Sequence, residues 1–107
     1  DVYKRQVLRR GATDICIGDA AGSRIRGSIA LQSATFWDDN SSALYSMGQA
    51  SLNFLDSPAT DTAVTYGLYH ADADGTNALY VNRSRNDSDS NNYIRVSSTI
   101  TLMEVSA

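Results

Sequence analysis

One proline, Pro58, sits in a polar turn between two runs of alternating apolar residues. The stretch from Leu52 to Tyr69 reads LNFLDSPATDTAVTYGLY. Before the turn, Ala50, Leu52 and Phe54 share one parity; after it, Val64, Tyr66 and Leu68 do the same. A period of two is the signature of half-buried strands and does not fit a helix. Proline fixes its own φ and drives Ser57 into an extended conformation, so the first strand is expected to stop there and the chain to turn. A chain organised around such a unit must bury its apolar faces by pairing strands. The residue choice agrees: Thr, Val, Ile and Tyr populate the runs, Ser, Asn, Asp and Gly lie between them, and lysine and glutamate, common on helix surfaces, occur once each.

The remaining elements follow from the same pattern. Val7 and Leu8 end a strand, Arg10-Gly11-Ala12 turns, and Ile15 and Ile17 share a face in a short second strand. Gly18 to Gly22 reads as a loop. Ile25, Gly27, Ile29 and Leu31 alternate with polar residues as a third strand. Thr35 to Ser42 is a loop, Ala43 to Asp56 a long strand, and Asp74-Gly75 a hairpin turn leading into a return strand at Leu79 and Val81. Arg83 to Asn92, RSRNDSDSNN, is polar throughout and reads as an exposed loop. Tyr93 to Val105 is expected as a last strand, apolar on both faces near its end, as in a central or interface strand. At 107 residues these elements make one domain, an all-β antiparallel sandwich with six or seven strands.

Function is less visible. The net charge of −3 gives no basic stripe for nucleic acid, and no apolar run approaches the ~20 residues that span a bilayer. The single cysteine, Cys16, excludes an internal disulfide. Cys16 and the single histidine, His70, fall on expected strands without a motif around them, and are read as a small strand residue and an edge-strand residue. Asp72-Ala73-Asp74-Gly75 does not fit an EF-hand, because the sixth position is Asn77 and the twelfth is Arg83. An irregular calcium site joining Asp72 and Asp74 to Asp87 or Asp89 has the right ligand type, but turn chemistry explains the same residues more simply. Aspartates at loop tips also lack the defined cleft separation of a glycosidase pair. No catalytic residue, cofactor or metal is assigned, and the chain reads as non-enzymatic.

Four segments carry a family resemblance: GDAAGSRIRGS (Gly18 to Ser28), FLDSPATDTAVTYGL (Phe54 to Leu68), ALYVNRSRNDSDSNNY (Ala78 to Tyr93) and STITLMEVSA (Ser98 to Ala107). Together they resemble marine-phage virion proteins described as tail-fibre-like or minor structural. The resemblance implies a jelly-roll-like sandwich of the tumour-necrosis-factor or complement globular-head kind, assembled as a homotrimer at the tip of a stalk. It implies a virion structural or receptor-binding role, with multivalent attachment to a host-surface glycan or receptor, no nucleic acid and no membrane insertion. The candidate contact residues lie in three loops: Phe36, Trp37, Asp38, Asp39 and Asn40; Asp72, Asp74 and Asn77; and Arg85, Asp87, Asp89 and Asn92. The alternative is a secreted or cell-surface bacterial carbohydrate-binding or adhesin module. Asp1 to Gln6, DVYKRQ, resembles a translated adapter sequence from metagenomic assemblies. The expected division is therefore 1–6 as a non-native segment and 7–107 as the sandwich domain, lacking its N-terminal strand.

Overall fold

The computed structural model describes residues 3–32, 47–72 and 78–105. Among these the chain forms no helix and one antiparallel sheet of four strands, so the fold is all-β. The strands are β1 (Tyr3–Arg10), β2 (Thr13–Ile15), β3 (Ile29–Gln32) and β4 (Tyr66–Asp72). β1 is the hub. Along one edge it pairs with β4 from Lys4↔Asp72 to Arg10↔Tyr66. Along the other it pairs first with β3, Tyr3↔Gln32 to Gln6↔Ile29, and then with β2, Leu8↔Ile15 to Arg10↔Thr13. Tyr3 to Gln6, set apart by sequence from the rest of the domain, thus lie in the middle of the sheet.

The β1–β2 hairpin has Gly11 and Ala12 as its loop, and Gly11 takes φ 58. Glycine at the first of two loop positions is what a type II′ turn requires, and its twist matches that of the flanking strands. The Gly11 N–H also donates to the Thr65 carbonyl at 2.8 Å, fixing the turn against the entry to β4.

β2 and β3 leave a gap opposite the middle of β1, and Ser28 fills it. Its N–H donates to the Gln6 carbonyl at 2.9 Å. Its hydroxyl accepts from the Leu8 N–H at 2.9 Å and donates to the Ile15 carbonyl at 3.2 Å. The edge of β1 is thereby satisfied without interruption. The long third strand expected from Ile25 is cut short for the same reason. Arg26 turns its Nε onto the Gly18 carbonyl and the Gly27 carbonyl accepts from the Gly18 N–H, so 24–28 binds the preceding loop instead of a strand.

The proline-centred stretch is half strand. Val64 lies just outside β4, which begins at Tyr66, and Leu52 to Phe54 join no ladder. What holds this arm is a polar anchor. Arg10 and Tyr66 are directly opposite each other across β1 and β4. Arg10 Nη1 reaches both Asp56 oxygens at 2.8 Å, and the Tyr66 hydroxyl donates to Asp56 Oδ2 at 2.7 Å. Pro58 is followed by Ala59 at φ 50, a left-handed position.

Apolar burial is slight. Val7, in the centre of β1, is 3% exposed and is the one buried hydrophobic side chain among the described residues. Leu8, Ile15, Ile29 and Leu31 are half-buried on the opposite face of the sheet, and Leu68 beside them is exposed. The expected return strand at Leu79 and Val81 and the expected last strand from Tyr93 also form no ladder; the pairing there is a single bridge, Arg83↔Arg95. An alternating pattern fixes which side chains share a face, but it does not supply a partner edge. The radius of gyration, 16.5 Å, exceeds the ~13 Å of a compact chain of this length.

Ser28→Ala leaves the Leu8 N–H without its acceptor and is expected to cost about 1–3 kcal/mol in urea denaturation. The Tyr66 hydroxyl, and after it the Arg10 guanidinium, hold the Asp56 carboxyl below its ordinary 3.8 against the opposing effect of desolvation. A lowered carboxyl contributes stability that is complete above 3.8 and is lost as pH falls through the lowered value. Asp56→Asn should flatten that acid limb of a pH–stability profile. The Asp56 hydrogen bond, with desolvation, raises Tyr66 above its ordinary 10.0, so its share is complete below that pH and lost as pH rises through the raised value. Tyr66→Phe should abolish that alkaline loss.

Candidate functional site

Past the sheet, residues 84–94 form a loop closed by its own neck. The Arg83↔Arg95 bridge, the Ser84 N–H to the Ile94 carbonyl at 3.4 Å and the Val96 N–H to the Asn82 carbonyl at 2.9 Å join its ends. Asn82 takes φ 61, a left-handed position that asparagine tolerates better than most residues. Arg83 stacks over the Tyr80 ring at 4.5 Å, which holds the outer side of the neck.

Inside the loop Asn86 is the organiser. Its Oδ1 accepts from the Ser88 N–H at 3.1 Å and from the Ser88 hydroxyl at 2.7 Å, an Asx turn that bends the chain locally. Its Nδ2 donates to the Tyr93 hydroxyl at 2.9 Å and so fixes that ring. Ser84 is 1% exposed, and its hydroxyl donates to the Asn86 carbonyl at 2.7 Å. The Tyr93 N–H closes a turn on the Ser90 carbonyl at 3.2 Å. Arg95 meets Asp87 through two parallel bonds, Nε to Oδ1 at 2.9 Å and Nη2 to Oδ2 at 2.6 Å. Fork-to-carboxylate pairing of this kind adds directional precision to charge attraction. The Arg95 hydrogen bond and charge, with a smaller contribution from Arg83, hold Asp87 below the ordinary carboxylate range, while Asp87 raises Arg95.

These contacts leave an open groove of about 430 Å³ lined by Asp87, Ser88, Asp89, Ser90, Tyr93 and Arg95. Asp89 is exposed and accepts no hydrogen bond from the described residues, so its carboxylate is available to a ligand. A tyrosine ring, a free carboxylate and serine hydroxyls offer a flat apolar surface beside hydroxyl-binding groups. That combination suits a polyhydroxylated ligand such as a sugar. It is poorly arranged for a cation through Asp87, both of whose oxygens Arg95 occupies.

The loop candidates read from sequence divide accordingly. Asp87 and Asp89 line the groove, whereas Arg85 and Asn92 are exposed beside it. Asp72 ends β4, opposite Lys4. Phe36, Trp37, Asp38, Asp39, Asn40, Asp74 and Asn77 lie outside the described residues, as does the Asp74-Gly75 turn. Tyr93, whose position beside a polar loop was visible in the sequence, is part of the groove. Arg95, Ser88 and Ser90 were not singled out: an arginine inside an apolar alternation reads as an outward strand residue, and only the loop closure turns it onto Asp87. A second hollow, about 360 Å³, lies beside the Asp56 anchor between Arg10, Gly11, Pro58, Thr60 and Ala63 to Thr65. His70 is exposed in β4 and Cys16 sits at φ 51 just after β2.

No protein-family model, curated protein or solved structure matches the chain. The reading of the groove therefore rests on its own geometry.

The lowered Asp87 carboxyl keeps Arg95 engaged above the ordinary carboxylate range and releases it as pH falls through the lowered value. In an NMR pH titration the Arg95 Nε–H and the Ser88 amide should shift together in that acid window, and Asp87→Asn should remove the transition.

Proposed function

We propose that this chain is a non-enzymatic receptor-binding or structural domain of a phage tail fibre or similar virion appendage, and that it attaches to a host-surface glycan. The observation that carries the glycan contact is the 84–94 groove, in which Tyr93 is fixed by Asn86 and the Asp89 carboxylate is free. The virion setting comes from the family resemblance of the four segments. A secreted or cell-surface bacterial carbohydrate-binding module would use the same groove in another setting.

The sheet is one half of the jelly-roll-like sandwich that this reading contains, with its half-buried face of Leu8, Ile15, Ile29 and Leu31 as the inner surface. A homotrimer belongs to the same reading. Three grooves on one tip would turn weak single contacts into firm attachment.

The test is binding of the full chain to a panel of immobilised bacterial capsular and lipopolysaccharide glycans. Binding by at least one glycan is expected, weakened about tenfold or more by Tyr93→Ala and by Asp89→Asn, with circular dichroism unchanged. Binding that survives both substitutions would place the contact elsewhere, and no binding across the panel would count against a glycan receptor.

A further inference from the structure

The charges that line the 84–94 groove are not equivalent. Asp87 Oδ1 and Oδ2 accept from Arg95 at 2.9 and 2.6 Å, so the lining arginine and one lining carboxylate face each other. Their parallel bonds fill the carboxylate and one edge of the guanidinium, and the pair is neutral as a unit. The loop's other two arginines are not part of the lining. Arg83 donates from Nη1 to the Ser84 and Arg85 carbonyls and stacks over Tyr80 at the neck, and Arg85 is exposed beside the groove.

Asp89 is the remaining charge in the lining. It is exposed and lies between Ser88 and Ser90, and the turn from the Ser90 carbonyl to the Tyr93 N–H, 3.2 Å, brings the chain back beside it. An ionised carboxylate only accepts hydrogen bonds. A sugar hydroxyl or an acetamide N–H meets it as a neutral donor. A protonated amine meets it as a donor and as the opposite charge. A uronic acid brings a like charge.

We propose that the groove selects saccharides carrying an unacylated amine over the same sugars carrying a hydroxyl, acetamide or carboxylate, and that Asp87 sets this preference by holding Arg95. The amine donates to Asp89 while the sugar rests against the Tyr93 ring. Specificity of this kind has a repulsive side as well: an acidic sugar meets Asp89, while the cation that could receive it is committed to Asp87. The inference rests on the glycan contact proposed above and names its sugar class.

The test measures binding of the full chain to the β-linked tetramers of glucose, glucosamine, N-acetylglucosamine and glucuronic acid. Calorimetry at about pH 6 keeps the amine protonated and the carboxylates ionised. The glucosamine tetramer is expected to bind about two- to fivefold more tightly than the glucose tetramer, the gain of a partly exposed ion pair, and high salt should shrink the difference. Asp89→Asn is expected to remove the preference. Asp61→Asn, which removes the same charge at an exposed position outside the groove, should leave it. Asp87→Asn releases Arg95 and is expected to tighten binding of the glucuronic acid tetramer by a similar factor, a gain that a merely structural role would not produce. Unchanged affinity there would overturn the role of Asp87. A glucosamine preference that survives Asp89→Asn, or tightest binding of another tetramer to the native chain, would overturn the selection; if that binding still falls with Tyr93→Ala, the glycan contact itself stands. Binding of none of the tetramers also overturns the inference, and the capsular and lipopolysaccharide panel then decides the glycan contact separately.

Discussion

Every hydrogen-bonded ladder in this sheet runs through β1. β2, β3 and β4 do not pair with one another, so each depends on the backbone of Tyr3 to Arg10 being extended and shared between two edges. A strand used on both sides must have its donors and acceptors satisfied along its whole length, because the centre of a sheet is where water is least able to substitute. The break between β2 and β3 threatens this condition, and Ser28 meets it with a backbone amide and a hydroxyl that replace strand contacts. Arg10 extends the same dependence outward. It pairs with Thr13 and Tyr66 in the ladders, while its side chain reaches Asp56 and ties down the proline-containing arm.

How much of this could be read from the sequence depended on the range of the interaction. The Gly11 turn, the Gly18 to Gly22 loop, β4 after the polar turn and the polar 83–92 segment are local, and residue type with a period of two was enough to find them. The three-way contact of Arg10, Asp56 and Tyr66 was not legible, because it joins residues 46 apart that only the β1–β4 register brings together. The strands expected over 43–56 and 93–105 failed in a different way. Their alternation is real, but it describes side-chain direction, which an extended chain has with or without a partner; 43–46 also lie outside the described residues. Conversely, Lys4 to Gln6 carries polar residues without alternation, yet its backbone pairs on both sides. The groove was half legible: RSRNDSDSNN identified a loop, and Asp87 and Asp89 identified acceptors, while the closing pair with Arg95 depended on where the loop returned.

The polar anchors position loops without supplying much net stability. Partly exposed ion pairs such as Arg9–Asp14 and Arg95–Asp87 are screened and typically worth about 0–1 kcal/mol. One buried valine adds on the order of 1.5–3 kcal/mol. Against the ~1–2 kcal/mol per residue lost in ordering a backbone, these contributions are small. Directional contacts can choose a conformation only if something larger pays for order, and the apolar area able to do so is on the surface of the single chain, along Leu68, Ile94, Val96, Ile100 and Leu102.

The exposed apolar segment bears directly on the groove. The 84–94 loop and the apolar segment share residues 94–96 at the loop's neck, so whatever fixes the segment also fixes the direction in which the groove faces. In the homotrimer proposed above, contacts to this segment would set the direction of the groove in each subunit alike. Binding through such a site would then gain in two ways at once: the loop's ordering cost would already be met in the free protein, and the copies would present their grooves in one fixed arrangement. A loop tethered only to an isolated chain would gain neither.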